Sequence, residues 1–453
     1  MEEATVIPES TVVDLRERVG AVAPLMVEDL AALVQIPSVS AWPDHAQHVQ
    51  ASAEAVAELL RGVGCPDVRI VREGGQPAVI ARFPAPEGQP TVCLYAHHDV
   101  QPPGDEKSWS TDPFRASVRD GRMYARGSAD DKAGFAAHLT ALRAFDGKPP
   151  VGVTLFIEGE EEIGSPSLGT ILERHADLLR ADVYVIADSV NWEVGRPAFT
   201  NTLRGVCDVV VEVSTTSHPL HSGQFGGLVP DALGALVKLL GTLTDDAGEC
   251  AIEGLVSGHA AELEYPEDRL RVEAGLLDGV EFVGTGPMVD RMWAKPSVTV
   301  LAIDAPSVDN ASNTLQPTAR AKVSVRVAPG DDSHSALAAL KSHLSEHAPW
   351  GARVSFGAET AGQPGTIAFE GPVSEVARAA WGQSWGVDPV FVGCGGSIPM
   401  VADFQAAFPG ATVLVTAVTD PDSRMHGVDE SVDLSDVENA ALAEALLVQG
   451  LVR

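Results

Sequence analysis

Residues 158–165, EGEEEIGS, place four carboxylates within five positions at the end of VGVTLFI (151–157), an apolar run typical of a buried strand. Like charges so close together repel one another. The segment is therefore either a solvated acidic turn or one wall of a site that holds something strongly positive. The run alone favours the turn, so the choice depends on the side chains that the fold brings to the same place.

Other side chains that could bind a metal ion also follow predicted strands or lie on loops beside them. In an open α/β sheet, the carboxyl ends of the strands gather such residues at one edge. Imidazole and carboxylate groups without a thiolate suit a divalent ion such as Zn²⁺, with Mn²⁺ or Co²⁺ as alternatives. Two such ions about 3.5–4 Å apart need about five protein ligands. The candidates that supply this number are His97, Asp130, Glu162, Asp188 and His426.

Each of these motifs also has an ordinary structural interpretation. The spacing of His97 and Asp99 is common and carries little information by itself. Adjacent Asp130 and Asp131 before a predicted helix could simply cap it, and His426 in a polar loop could lie at the surface. The metal interpretation is favoured because all five candidates fall at the binding edge of the predicted sheet, in spacings that no structural role requires.

The elements that must position these residues alternate between strand and helix, which indicates an α/β fold with a doubly wound mixed sheet. Further along, VCDVVVEVS (206–214) and ARAKVSVRV (319–327) alternate apolar and polar side chains, which is typical of antiparallel strands with one solvated face. Residues 243–290, rich in Asp, Glu and Gly, are predicted to form an inserted loop. We therefore predict an α/β domain interrupted by an inserted α+β domain. The predicted bounds are 1–203 with 370–453 for the first domain, and 204–369 for the second.

The composition excludes several classes of function. The chain has 453 residues, too many for one ordinary hydrophobic core, and a formal net charge of −32. That charge argues against nucleic acid or an anionic membrane as a partner, because both attract basic surfaces. Its five cysteines form no CxxC pair, so we expect reduced thiols. Since the N-terminal residues lack a signal-peptide pattern and no apolar stretch is long enough for a membrane span, we expect a cytoplasmic enzyme.

Six motifs together resemble the di-zinc metallopeptidase family of carnosinases, bacterial dipeptidases, aminoacylases and desuccinylases, with the dipeptidase branch the most similar. The likeness runs nearly end to end, from LVQIPSVS at 33–40 to the last predicted helix. It implies a catalytic domain with two metal ions and a smaller lid domain that dimerises. The motifs are HHDVQPPG (97–104), GRMYARGSADDKAG (121–134), EGEEEIGS (158–165), LHSGQFGG (220–227), GGSIPM (395–400) and MHGVDE (425–430).

The resemblance implies a role for each metal ligand. His97 and Asp188 would bind one divalent ion, Glu162 and His426 would bind the other, and Asp130 would bridge the two. Zn²⁺ is the expected metal. These assignments match, residue by residue, the five candidates that the strand ends had already brought together.

The resemblance also implies how the reaction proceeds. Glu161 matches the family's catalytic acid/base, which takes a proton from the metal-bridging water that attacks the scissile carbonyl and then delivers it to the leaving amine. Asp99 would hydrogen-bond the other nitrogen of His97 and fix its tautomer. The peptide bond that corresponds to Asp130–Asp131 is cis in the family.

Residues of the second domain resemble positions that act on the substrate. His221 matches a histidine that reaches the neighbouring subunit's site and stabilises the developing oxyanion. Arg326 matches an arginine that grips the substrate carboxylate. Thr314, or Asn313 beside it, and Ser397 resemble substrate-contacting positions. Each has a structural alternative as well: a hairpin histidine, an arginine on the solvated face of a strand, and a helix cap at Ser397.

The leading hypothesis is a metal-dependent hydrolase that cleaves dipeptides or short peptides with a free C-terminal carboxylate, acting as a homodimer joined through the lid domain. An N-acyl amino acid deacylase would use the same chemistry with a different pocket. The sequence departs from the family near the pocket, with Cys394 where an acidic residue often stands and with DPDSRMHG (420–427) around His426. A silent binding protein of the same fold would have lost a ligand or the base, and all of them are present.

Overall fold

The computed structural model describes residues 7–260, 263–396 and 399–453. It divides into two compact units, the first formed by Met1–Asn201, Ile367–Val392 and Pro399–Arg453, and the second by Thr202–Thr366 and Gly393–Ile398. The domain bounds predicted from the sequence stay a prediction. In this division, residues 393–396 group with the second unit, where the side chain of Arg204 donates a hydrogen bond to the carbonyl of Gly395 (3.0 Å).

The strands and helices are numbered along the chain. The strands are β1 (Asp67–Val71), β2 (Ala78–Phe83), β3 (Thr91–His97), β4 (Ser117–Arg119), β5 (Arg122–Tyr124), β6 (Gly152–Glu158), β7 (Val183–Ile186), β8 (Ala198–Leu203), β9 (Gly205–Ser214), β10 (Leu220–His221), β11 (Ser297–Asp304), β12 (Thr314–Leu315), β13 (Thr318–Val327), β14 (Arg353–Gly362), β15 (Gly365–Thr366), β16 (Val390–Cys394), β17 (Thr412–Val415) and β18 (Ser431–Asp433). The α-helices are α1 (Glu9–Leu33), α2 (Ala46–Gly62), α3 (Lys132–Ala144), α4 (Leu168–Arg174), α5 (Ala176–Leu179), α6 (Ser222–Phe225), α7 (Ala232–Leu240), α8 (Glu267–Glu273), α9 (Ser333–Glu346), α10 (Pro372–Trp385), α11 (Pro399–Ala407) and α12 (Leu434–Gly450).

A mixed sheet with the strand order β1-β2-β6-β3-β7-β17-β8 forms the centre of the first unit. The central strands β6, β3, β7 and β17 are parallel, whereas β1, β2 and β8 run antiparallel to their neighbours. Strands β3, β6 and β7 are buried along almost their whole length, as expected where helices cover both faces of a sheet. The predicted α/β class with a mixed sheet is confirmed.

An antiparallel sheet with the order β11-β13-β9-β14 forms the second unit. Along β9, buried and partly buried residues alternate at every position, because one face of the strand packs on a hydrophobic core and the other does not. Helices α7 and α9 supply the other half of that core. A short separate ladder pairs His221 of β10 with Thr314 of β12.

The prediction of an inserted loop over residues 243–290 is wrong in one respect, since the segment contains helix α8. Pro266 precedes this helix, and Arg271 forms an ion pair (3.0 Å) with Glu267 one turn earlier. Such pairs at a spacing of four residues stabilise short helices. Residue composition predicted a loop because the same charged residues are common in loops and in short exposed helices.

The sequence predicted no membrane-spanning segment and no disulfide bond. Within the described part of the chain, no helix combines the length and the apolar character that a membrane span requires. No disulfide bond joins the cysteines of the described residues. The cytoplasmic location stays a prediction.

Candidate metal centre

Parallel strands bring the candidate ligands to one edge of the sheet in the first unit. His97 is the last residue of β3, and it lies opposite Glu158, the last residue of β6, in the parallel register. Asp188 follows the neighbouring strand β7. Because parallel strands end at the same edge, the register itself places the imidazole near the acidic turn after β6.

Asp130 lies between two imidazoles. Its Oδ1 is 2.9 Å from Nε2 of His97, and its Oδ2 is 3.0 Å from Nε2 of His426. The same nitrogen of His426 is 3.3 Å from Oε2 of Glu162. A carboxylate that offers one oxygen to each of two neighbouring ligand groups has the position that a bridging ligand needs.

Two groups of side chains could each hold a metal ion, and in each group the ligand atoms lie within 4.8 Å of one another. All five predicted ligands are included, and the predicted base is a member of the first group. The two groups are His97, Glu161 and Asp188, and Asp130, Glu162 and His426.

Asp99 positions the acidic turn as well as the imidazole. Its carboxylate accepts hydrogen bonds from the backbone N–H groups of Glu161 and Glu162 (3.2 Å each). The nearer partner of Nδ1 of His97 is the backbone carbonyl of Asp99 (3.0 Å), with the Asp99 carboxylate at 3.4 Å. The backbone carbonyl of Asp99 thus takes the hydrogen bond that was predicted for its carboxylate, because the carboxylate points toward the turn that carries the two glutamates.

Asp130 and Asp131 have different environments although they are adjacent. The peptide bond between them is cis. Asp131 caps α3, accepting a hydrogen bond from the N–H of Gly134 (3.2 Å), and its other oxygen accepts one from the N–H of His97 (3.3 Å). The structural interpretation of a helix cap thus holds for Asp131, whereas Asp130 belongs to the metal-binding group.

The acidic run after β6 is not a solvated turn, since Glu158 and Glu160 are both buried. Glu160 accepts hydrogen bonds from the backbone N–H groups of Gln76 (2.8 Å) and Ser167 (2.7 Å), so it holds two neighbouring loops. Glu158 accepts a hydrogen bond from the hydroxyl of Tyr95 (2.8 Å), and burial raises the pKa of its carboxyl to about 7. Neither contributes an atom to the two metal-binding groups.

The sequence did not predict two residues that hold the candidate ligands in place. Gln101 donates from its backbone N–H (3.0 Å) and its side-chain amide (2.7 Å) to the carboxylate of Glu162. Glu430, fully buried, accepts a hydrogen bond from the N–H of Asp130 (3.0 Å). Both lie within motifs of the family resemblance, and that proximity was the only signal in the sequence.

Two carboxylates of the site, Glu161 and Asp188, have raised pKa values, as expected where negative charges crowd together. Burial, together with the negative charge of Asp188, raises the pKa of Glu161 to about 9. Burial, together with the charges of Asp130 and Glu162, raises the pKa of Asp188 to about 7. Hydrogen bonds to Asp130 and Glu162 raise the pKa of His426 to about 10. A cation would relieve this excess of negative charge, so the donor types and their crowding fit divalent metal ions.

The predicted substrate residues lie in the second unit or outside the described residues. His221, in β10, is exposed, and its Nδ1 accepts a hydrogen bond from the N–H of Gly223 (3.0 Å). Arg326 lies in β13, is half-buried, and forms no ion pair with any carboxylate of the described chain. Thr314 pairs with His221 across the β10–β12 ladder. Ser397 lies outside the described residues, and the substrate contacts of Thr314 and Ser397 stay predictions.

A family profile and individual relatives match this chain. The profile of peptidase family M20/M25/M40 matches residues 93–449, a range that contains both metal-binding groups. The chain is 33% identical over 425 residues to the cysteinylglycine-S-conjugate dipeptidase of Corynebacterium striatum, covering 92% of this chain and 93% of the relative. It is 30% identical over 356 residues to the Beta-Ala-His dipeptidase of Rattus norvegicus, covering 73% and 70% of the two chains.

Solved structures show the same fold. The dipeptidase Dug1p of Saccharomyces cerevisiae is 25% identical and superimposes with a TM-score of 0.83 over 97% of this chain and 98% of its own. Human carnosine dipeptidase 1 is 23% identical, again with a TM-score of 0.83, over 98% of this chain and 99% of its own. The fold of this chain is therefore one already known from other proteins.

Proposed function

This chain belongs to peptidase family M20/M25/M40, and we propose that it is a metallodipeptidase that cleaves dipeptides or short peptides with a free C-terminal carboxylate. The observation that carries this proposal is the pair of adjacent metal-binding groups with Asp130 between two imidazoles. Relatives named as dipeptidases support the substrate class. Deacylation of N-acyl amino acids is the alternative, with less support from those relatives.

We assign His97 and Asp188 to one divalent cation, Glu162 and His426 to a second, and Asp130 to both. Zn²⁺ suits this set of nitrogen and oxygen donors, with Mn²⁺ or Co²⁺ as alternatives. When bound, two such cations would polarise the scissile carbonyl and lower the pKa of a water molecule.

Glu161 serves first as general base and then as general acid. Its carboxylate lies beside His97 and Asp188, and its backbone N–H is held by Asp99 (3.2 Å). From this position it takes a proton from the attacking water and passes that proton to the departing amine. Because Gln101 holds the neighbouring carboxylate of Glu162, the two adjacent glutamates have separate tasks.

Arg326 is proposed to bind the substrate's C-terminal carboxylate. A half-buried guanidinium that has no carboxylate partner in the described chain can accept one from a substrate, and its planar donors match carboxylate geometry. Such recognition would require an exopeptidase-type substrate and would reject a substrate whose carboxylate is blocked.

The proposal is tested by comparing three substrates after reconstitution with Zn²⁺, Mn²⁺ or Co²⁺: a dipeptide, its C-terminal amide and the corresponding N-acyl amino acid. We expect the dipeptide to exceed its amide in kcat/KM by about 10- to 100-fold, the size of a charge-assisted interaction. Arg326→Ala should remove that difference. Arg320→Ala is the matched control, because Arg320 lies on the same strand and pairs with Asp304.

Other outcomes separate the alternatives. Faster hydrolysis of the N-acyl amino acid than of the dipeptide would favour the deacylase. Equal rates on the dipeptide and its amide in the unmodified protein would remove Arg326 from its proposed role.

The second unit is proposed to join two copies of the chain. Strand β11 forms an edge of its sheet, and Val300, Leu301 and Ile303 are 37%, 53% and 43% exposed. An exposed apolar edge strand is a ready surface for pairing, and the same edge on a second copy gives a closed two-fold contact. In such a homodimer we propose that His221 serves the partner subunit's site by stabilising the developing oxyanion.

Complementation between variants tests this arrangement. Glu161→Gln and His221→Ala chains are each expected to be impaired when expressed alone. Co-expression should restore about a quarter of wild-type turnover, because random pairing makes about half of the dimers mixed and each mixed dimer has one complete site of its two. The control is co-expression of Glu161→Gln with a chain that carries both substitutions, Glu161→Gln and His221→Ala. Since every chain then lacks Glu161, no complete site can form. Sedimentation should show a dimer that Leu301→Lys dissociates. Absence of complementation in a confirmed dimer would show that His221 does not serve the partner.

A further inference from the structure

Glu430, a buried carboxylate outside both metal-binding groups, shapes the loop that carries Asp130. Its side chain accepts hydrogen bonds from the backbone N–H groups of Gly127 (3.0 Å), Ala129 (2.9 Å) and Asp130 (3.0 Å). Because three N–H groups turn toward a single carboxylate, the backbone of residues 127–130 is bent around it. The position of Asp130 therefore depends on where Glu430 lies.

Arg126 connects the same carboxylate to the loop that carries His426. Its Nη1 is 2.5 Å from Oε2 of Glu430, and its Nη2 donates to the carbonyls of Gly427 (3.1 Å) and Pro102 (3.3 Å). Gly427 is the residue directly after His426. Both charged side chains are at most 2% exposed, so solvent screens their attraction very little.

The backbone reinforces this connection. Ser431, directly after Glu430, pairs with Tyr124 in the β5–β18 ladder, and the N–H of Ala125 donates to the carbonyl of Glu430 (3.1 Å). One ligand loop thus follows β5 while the other precedes β18, and the ion pair lies where the two loops leave the ladder. A shift of either loop would alter the 3.0 Å contact between Asp130 and His426.

We infer that Arg126 and Glu430 form a positioning pair that sets the separation of Asp130 and His426 and thereby the affinity of the centre for its cations. The inference rests on the proposed function, since it presumes that these two residues are ligands. The pair belongs to neither metal-binding group and acts only through the loops that it holds.

Glu430→Gln tests the inference, because it keeps the size of the side chain, removes its charge and turns an amide donor toward backbone donors. We expect the affinity for Co²⁺, measured by competition with a chromophoric chelator and by the Co²⁺ absorption spectrum, to fall about 10- to 100-fold, the usual effect of losing a group that supports metal ligands. Excess Co²⁺ should restore most of the lost turnover, because Glu161 is unchanged.

Glu444→Gln is the matched control. Glu444 is also buried in an ion pair, 2.9 Å from Nδ1 of His138, but the hydrogen bonds of this pair go to each other and to the carbonyl of Tyr95, and not to either ligand loop. This variant should lose thermal stability and keep wild-type Co²⁺ affinity. An equal loss of affinity in this control would assign the effect to general destabilisation and overturn the inference.

Wild-type Co²⁺ affinity in folded Glu430→Gln would also overturn it. If Glu430→Gln does not fold, Arg126→Lys is the second test variant. It keeps the positive charge and removes the planar donors to Gly427 and Pro102, so the same loss of Co²⁺ affinity is expected. Wild-type Co²⁺ affinity in Arg126→Lys would overturn the inference. A wild-type protein that binds no Co²⁺ would overturn the proposed function itself, and the inference with it.

Discussion

Glu161→Gln is expected to lower kcat by about 10²- to 10⁴-fold, the contribution of a general acid–base group, while both metal ions remain bound. Glutamine has the shape of glutamate, but its amide cannot take a proton from water and return it to the leaving amine. The backbone hydrogen bond from residue 161 to Asp99 does not depend on the side chain, so the turn should keep its position. The measurements are steady-state kinetics and metal content of the purified variant.

Glu160→Gln is the control for this experiment, because it makes the same substitution in the same acidic run. Glu160 is buried and holds the backbone N–H groups of Gln76 and Ser167, so its variant should unfold at lower temperature and keep kcat within a few-fold. Intact turnover in Glu161→Gln would remove Glu161 from its role as base. Loss of a metal ion instead would make Glu161 a ligand, as its position beside His97 and Asp188 allows.

Asp130→Asn is expected to reduce metal content and to lower kcat/KM by about 10³-fold or more, because a bound cation contributes several kcal/mol to the stability of the transition state. The asparagine amide carries no charge and can present only one oxygen. Asp130 contacts both His97 and His426 through different oxygens, so the substitution affects both groups at once. Metal analysis and titration with Zn²⁺ measure the loss directly.

The neighbouring Asp131→Asn separates metal binding from folding. Asp131 caps α3 through the N–H of Gly134, and asparagine caps helices about as well as aspartate, so its replacement should change stability little and leave the metal content unchanged. Two ions retained by Asp130→Asn at wild-type affinity would contradict the bridging assignment. Loss of metal in Asp131→Asn but not in Asp130→Asn would exchange the roles of the two residues.

Three of the proposed ligands, His97, Glu162 and Asp188, could be placed from a local pattern, whereas Asp130 and His426 lie on loops beside β5 and β18. An apolar strand followed by His, Asp or Glu places that side chain at the sheet edge, and the edge is common to all parallel strands. The register of β3 and β6, which sets His97 opposite Glu158, is what those patterns require. Helix α8 was missed for the opposite reason, since its charged residues form i,i+4 pairs that composition alone does not distinguish from a loop.

The supporting residues could not be predicted, because their partners are far away along the chain. Glu430 accepts hydrogen bonds from backbone N–H groups of residues 127–130, roughly three hundred positions earlier. No sequence pattern predicts this contact. Gln101 and Glu162 meet in the same way. Hydrogen bonds between distant segments depend on the path of the whole backbone, which no local pattern encodes.

By itself, the sequence determined which side chains could form the metal centre and on which kind of element each one lies, because side-chain chemistry and strand patterning are local properties. The resemblance had given Glu161 and Glu162 their roles, and only the tertiary structure decided what Glu158 and Glu160 of EGEEEIGS do. Burial and distant partners make Glu158 and Glu160 structural, whereas Glu161 and Glu162 turn toward the imidazoles. That division rests on distances of a few ångströms between segments far apart in the chain, and packing alone sets those distances.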